Sequence, residues 1–451
     1  MATAADKTAA PAPGSSGIGD AYWPLDGNGG IDVAAYKIKN RYDVPRQTLQ
    51  GRTKLTLTAT ADLSSFNLDF LLPVSKVKVD GVAAEVDQTS HELTITPAAP
   101  LTTGSNHTVT VKYAGRPATE RYAGEGNWLA NGREAVAMNQ PHMATRWFPA
   151  NDHPSDKALF DISTTVPTGR EVIANGNLVG KKKSKRGTTR RWRADEPMAS
   201  YLAFFAAGDF AIQKGTSNGL PWVNAVSQQL SADEQKASLK LLGRTPGIVE
   251  ALEGDLGAYP FSVTGGLTTG LSVFFALENQ TRPTYPYVGS DNVRPVVHEL
   301  AHQWFGDDVA IARWRDIWLN EGAATFMEWR YAEQHGDRSA ADTMRAAYDS
   351  PGTSDRFWQL VLTDPGAAHI FDTPVYDRGG MTLRALRNRI GEEKFWLLIR
   401  TRLETKAGGN ATSEEFEALA AQVSGRDLTG FFTARLRTPA KPAATAENGL
   451  A

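Results

Sequence analysis

The hydrophobic period changes once along this chain, and that change limits the folds open to it more than any other feature. Between about residues 34 and 115, apolar and polar residues alternate in YKIKNRYDV, TKLTLTATA, FNLDFLL, KVKVDGV, HELTITP and HTVTVKYAG, with Pro, Gly, Asp and Asn between the runs. A period of two predicts antiparallel strands with one buried face. The pattern returns over 158–210 in ALFDISTTVP, REVIANGNLVG, RRWRADE and ASYLAFFAAGDFAI, so one β domain is expected over 20–210. The stretch 116–157 reads as loop, and its segment NQPHMATRWFPANDHPSDKA has the polar and aromatic density of a chain turned toward a neighbour or a cleft.

After residue 226 the period becomes helical. SADEQKASLKLLGRTPGIVEALEGDLG carries Leu, Ile and Val at helical spacing behind a Ser or Asp able to cap it. A strand pair is expected next, YPFSVTGGLTTG then LSVFFALEN, followed by helices within 291–349, 377–404 and 411–423. The expected second domain, 211–440, is mixed α and β and mostly helical. Residues 1–19 read as a flexible lead, and a Pro/Ala tail from 438, through 441–451, as frayed.

Composition narrows the chemistry. The 451 residues include no cysteine, which excludes disulfides, thiolate nucleophiles and cysteine-held metals, so any metal must use His, Asp or Glu. A formal net charge of −2 gives no reason to expect a nucleic-acid partner, and no apolar run reaches membrane-span length. A soluble protein without membrane insertion is expected, cytoplasmic, or secreted if a leader has been removed. The run KKKSKRGTTRR, 181–191, is the one basic block, and reads as a solvated hairpin loop rather than a site for polyanions.

The sharpest motif is VVHELAHQWFG. On a helix, His298 and His302 lie one turn apart on one face and can reach a single ion, while Glu299 sits beside the first ligand, able to take a proton from bound water. The motif alone also occurs on ordinary helices. Here Val296, Val297, Leu300, Ala301, Trp304 and Phe305 make the rest of the helix apolar, and three polar groups in such an element are costly to bury without a partner. A third ligand is needed, and Glu321 in WLNEGAATFMEWRY is the best candidate. Glu328, two turns farther along the same face, could steady an imidazole or be a surface carboxylate.

VVHELAHQWFGDDV, Trp314, DIWLNEG and a downstream tyrosine resemble the gluzincin aminopeptidases of peptidase family M1, relatives of aminopeptidase N and the leukotriene hydrolase, in a short actinobacterial-type two-domain form. RWFPANDHPSDKA and EPMASYLAFFAAGDF extend the resemblance over residues 20–440. It implies a saddle-like antiparallel β domain packed on a thermolysin-like, mostly helical zinc peptidase domain. It also implies one Zn2+ per chain on His298, His302 and Glu321, and peptide substrates with a free N-terminus; a monomer is expected.

The same resemblance assigns further roles. FALEN, 275–279, stands where the family has G-x-M-E-N, so Glu278 matches the carboxylate that pairs with the substrate ammonium. Gln140 matches a β-domain residue assisting it, and Tyr376 in TPVYDRGGMTLRAL the tyrosine that donates to the oxyanion. Phe275 replaces a glycine and Leu277 a methionine, so Phe275 and Ala276 are expected to shape the pocket for the first side chain, with the substrate backbone adding along an edge strand near 271–277. An Arg in FFTARLR replaces a tryptophan, and the chain stops where longer relatives continue into a helical domain, which suggests a more open cleft. The rival readings are a zinc endopeptidase, a noncatalytic zinc-containing peptide-binding protein, an epoxide hydrolase of the leukotriene type and a closed structural zinc site.

Overall fold

The structure is a computed structural model that describes residues 10–89, 91–126, 128–350 and 355–450. Its N-terminal half is rich in β-sheet, and its C-terminal half is largely helical. The largest sheet has eight strands in the order Asn177–Ser184, Gly187–Ala199, Lys157–Val166, Ile31–Asp43, Thr48–Ala59, Asn106–Gly115, Val74–Val79 and Val82–Ala83. In Ile31–Asp43 the buried residues are Ile31 and Val33, then Tyr36, Ile38 and Tyr42. An irregularity between Val33 and Ala35 inserts one residue and moves the buried set from odd to even positions, as a bulge must when the side-chain period is two.

Two expectations for this half are corrected. The basic block is not a loop, because its residues lie mostly on two paired strands whose turn is confined to Lys185 and Arg186. Arg190 is buried against Glu171, and Arg191 is paired with Asp161. The lead is not wholly free, since Ala12–Pro13 pairs in parallel with Leu63–Asp69; residues 1–9 lie outside the described residues.

In the second half, a sheet runs in the order Phe210–Ser217, Leu220–Ser227, Thr264–Thr268 and Thr284–Tyr285. Between its two central strands lie helices α1 (Ala232–Leu242) and α2 (Thr245–Leu256). Ser231 and Glu234 form a reciprocal capping box that starts α1, and Gly243 followed by Pro246 in the first turn of α2 divides what reads as one helix. The remaining long helices are α3 (Arg294–Ala301), α4 (Trp318–Gln334), α5 (Ala340–Asp349), the short α6 (Asp355–Gln359), α7 (Thr373–Ile390), α8 (Glu392–Lys406) and α9 (Ser413–Ser424). No helix among the described residues is long and apolar enough to cross a membrane.

Glycine sets the closest helix packing. A Cβ on Gly322 of α4 would lie 2.6 Å from the Cα of Gly379 on α7, and the reverse is equally true. These two backbones touch only because neither residue has a side chain. Tyr376, one turn before Gly379, is thereby carried over the first turn of α4.

Two more readings change in this half. LSVFFALEN is not a strand: only Leu277 pairs, through a single bridge to Thr284, and Phe274 is fully exposed. Alternation is weak evidence when, as here, a surface loop presents aromatic side chains to solvent. The tail is not frayed either, because Tyr348 donates to Pro442 O, Arg345 and Arg435 donate to Leu450 O and Asn448 O, and Leu450 is buried.

Candidate metal centre and cleft

α3 opens with Pro295 in its first turn and presents Val296, Val297, Leu300 and Ala301 to the core. His302 follows as its C-cap, still in helical conformation, with its N–H donating to His298 O at 3.2 Å. The two imidazoles therefore remain one turn apart, and Glu321 in the first turn of α4 meets them. Glu321 Oε2 lies 3.4 Å from His298 Nε2 and 3.3 Å from His302 Nε2.

Those separations bear directly on whether a metal fits. Ligands about 2.0–2.1 Å from a tetrahedral ion stand roughly 3.3–3.4 Å from one another. The cluster could hold a divalent metal such as zinc on two imidazoles and one carboxylate. Each ring is oriented by its other nitrogen: His298 Nδ1 faces Glu328 Oε1 at 2.5 Å, and His302 Nδ1 faces Phe305 O at 3.0 Å. Glu328 is itself held by Arg294. Both Nε2 atoms are thus turned toward the shared point.

Without an ion, the cluster neutralises itself. Burial opposes ionisation of Glu321, yet the charge of His302 and hydrogen bonds from both imidazoles hold its carboxyl down at about 2. Burial likewise disfavours charged rings, but Glu321 lifts His302 to about 9. Desolvation pushes Glu299 up to about 8, with Glu278 and Glu321 adding to the rise. A bound divalent ion reverses this balance, favouring neutral rings and an ionised Glu299.

Glu278 lies beside this centre and is 3 % exposed. Gln140 Nε2 donates to its Oε1 at 3.2 Å, across 138 positions of sequence. No lysine or arginine is paired with it among the described residues. Burial raises its pKa, which the nearby His302 opposes. Phe275 is 42 % exposed and Ala276 is half-buried at the same edge. Tyr376 stacks on His298, with ring centres 5.9 Å apart and planes 26° from parallel. Burial, then Glu321, Glu278 and Glu299, push its pKa well above the usual phenol value, so its hydroxyl is a permanent donor.

Several residues that position these groups escape a reading of the sequence. Gln303 donates to Glu278 O at 2.9 Å and accepts from Thr281 N at 2.7 Å, so the residue following His302 fixes the backbone that bears Glu278. Arg282, fully buried, donates to Ala174 O and Val223 O and lies over the Trp192 ring at 5.0 Å. Asn279, Gln280 and Thr281 are buried as well. An uninterrupted polar run, NQTR, directly after FALE was the available signal, because a polar segment adjoining a site is often pinned by backbone partners.

The chain matches the peptidase family M1 domain over residues 265–434 and the peptidase M1 N-terminal domain over residues 33–202. A zinc metallopeptidase variant of Deinococcus radiodurans, solved with a Tyr-Ser-Ala substrate, superposes with a TM-score of 0.86 at 26 % identity, covering 95 % of this chain and 100 % of that one. Aminopeptidase M1-D of Oryza sativa subsp. japonica is 28 % identical over 66 % of this chain and 36 % of its own length. Probable aminopeptidase 1 of Sulfurisphaera tokodaii is 23 % identical over 92 % of this chain and 54 % of its own. The chain thus spans between a third and a little over half of these two relatives.

Proposed function

The chain belongs to peptidase family M1, and from that premise we propose that it is a zinc-dependent aminopeptidase, hydrolysing the first peptide bond of peptides with a free amino terminus. The observation that carries this reading is Glu278: a buried carboxylate, touched by Gln140 and paired with no lysine or arginine among the described residues, beside a metal-ligand triad. An endopeptidase gains nothing from a buried anion at that place. A substrate ammonium supplies the missing charge.

Zinc, one ion at this site on His298, His302 and Glu321, would polarise the scissile carbonyl and acidify the attacking water. Glu299 takes the proton of that water and delivers it to the departing amine. Tyr376 donates its hydroxyl to the carbonyl oxygen as negative charge develops there. Glu278 and Gln140 hold the ammonium, which sets the first peptide bond over Glu299 and makes the cut one residue from the terminus. Phe275 and Ala276 border the space for the first side chain, and the exposure of Phe275 suits a wide, apolar mouth.

The reading divides the chain into a β domain over 20–210 and a catalytic domain over 211–440, a division supported by the strand Phe210–Ser217 pairing in a separate sheet. The short two-domain form is supported by the full-length match to the Deinococcus chain; the actinobacterial type rests on sequence resemblance alone. The reading is completed by a monomer acting on peptides and not on nucleic acids, in the cytoplasm or, with a leader removed, outside it.

The test compares matched peptides with free and acetylated amino termini. Release of the first residue from the free peptide only, abolished by a chelator and restored by zinc, is the expected result. Equal cleavage of both peptides would replace this reading with an endopeptidase. In Glu278→Gln, loss of a hydrogen-bonded charge, about 1.5–3 kcal/mol, should lower kcat/KM roughly 10- to 150-fold. Glu328→Gln should weaken zinc about 10- to 100-fold by loosening His298, read by competition with a coloured chelator. Unchanged affinity would leave Glu328 as the partner of Arg294 alone.

A further inference from the structure

A second cluster of metal-binding side chains lies inside the β domain, away from the cleft. Asp69 ends the strand Leu63–Asp69, and His91 immediately precedes, and Glu92 begins, the strand Glu92–Thr96 beside it. One ligand atom from each lies within 4.8 Å of the others, and all three residues are buried. His91 Nε2 is 3.1 Å from Asp69 Oδ1, 4.0 Å from Glu92 Oε1 and 3.8 Å from Asp26 Oδ1. The His91–Asp69 separation is near the 3.3–3.4 Å of the cleft triad, and the Glu92 oxygen stands somewhat farther out.

Among the described residues, Asp69 Oδ1 and His91 Nε2 face only each other, at 3.1 Å, while His91 Nδ1 and both oxygens of Glu92 lack a hydrogen-bond partner, although Glu92 is 7 % and His91 2 % exposed. Their surroundings, by contrast, are built. Asp69 Oδ2 accepts from Asn28 Nδ2 at 3.0 Å and from Asp152 N at 2.6 Å, which aims Oδ1 at His91. The His91 ring is stacked on Tyr122 at 3.7 Å, with planes 5° apart. Tyr122 donates to Asp26 Oδ1 at 2.9 Å, and Asp26 Oδ2 meets His142 Nε2 at 2.6 Å. Buried carboxylates and an imidazole held from behind, with unpartnered oxygens converging on one point, offer a ligand shell to a cation.

We propose that Asp69, His91 and Glu92 form a second, structural site for a divalent cation that accepts mixed nitrogen and oxygen ligands, zinc or manganese. The three ligands are buried in the β domain, away from the cleft, so the ion is structural and takes no part in hydrolysis. It fastens the start of the strand Glu92–Thr96 to the end of Leu63–Asp69. Through Asp26 and His142 it also steadies the loop bearing Gln140, two residues from His142. The full complement then becomes two ions per chain.

The full-length protein is produced in zinc-supplemented and in manganese-supplemented medium, desalted, and its metal counted by mass spectrometry. The wild-type chain should carry two ions, Glu92→Gln one and Glu321→Gln one, with Glu92→Gln also melting at a lower temperature. Zinc alone, or zinc in the cleft with manganese in the β domain, identifies which cation the second site takes. One ion in the wild-type chain from both media overturns the proposal, whether or not the variants fold. Two ions retained in Glu92→Gln overturn it as well, since the second ion then lies elsewhere.

Discussion

Glu299→Gln should reduce turnover of a free-ended peptide by about 10²- to 10⁴-fold, with KM within a few-fold of wild type and the cleft metal still bound. The exchange is nearly isosteric, and Glu299 is not one of the three residues whose ligand atoms converge, so metal content is an internal control. Its side chain is buried and interacts electrostatically with His298, His302, Glu278 and Glu321. Gln can hydrogen-bond to a water there but cannot remove its proton. Glu278 offers no substitute, because it is engaged by Gln140 and, in the proposed complex, by the substrate ammonium. A variant that keeps within tenfold of wild-type turnover, at full metal occupancy, would move the base to another group.

The parts of this centre that were legible in the sequence are those governed by helical period. His298 and His302 are four apart, Glu321 and Glu328 seven apart, and a helix puts each pair on one face whatever surrounds it. The structure joins the pairs, with Glu321 between the imidazoles and Glu328 behind the first. Gln140 and Glu278 could be associated only through family resemblance, since nothing local links positions 138 apart. Gln303, Arg282 and the carbonyl of Phe305 were hidden for a related reason: their partners are backbone atoms, which carry no signature in side-chain pattern.

The misread segments have a common origin. LSVFFALEN alternates like a strand, but a strand needs an edge to pair with, and Leu277 alone finds one at Thr284. The tail after residue 438 is poor in large apolar residues, yet Arg345, Tyr348 and Arg435 bind its carbonyls from helices and a turn before it. The cluster of Asp69, His91 and Glu92 is equally silent in sequence, because it forms only where two strands pair and Asp26 closes over them. Periodicity reports the face a segment buries. It does not report what that face meets.

Tyr376→Phe tests the other half of the proposed chemistry, and a fall in kcat of about 10²- to 10³-fold with KM nearly unchanged is expected, the effect of removing one oxyanion donor. The phenylalanine ring keeps the stack on His298 and the helix contact at Gly322 and Gly379, so position and fold are preserved while the hydroxyl is lost. The size of the effect follows from the setting. Burial and the surrounding carboxylates keep the phenol protonated well beyond its usual range, so it is a donor across the working pH and does not itself become the anion. Its hydrogen bond gains strength as charge moves onto the carbonyl oxygen, which lowers the barrier more than it favours the bound substrate. A rise in KM with kcat preserved would mean that Tyr376 binds the peptide equally in both states, and the developing charge would then have to be met without it.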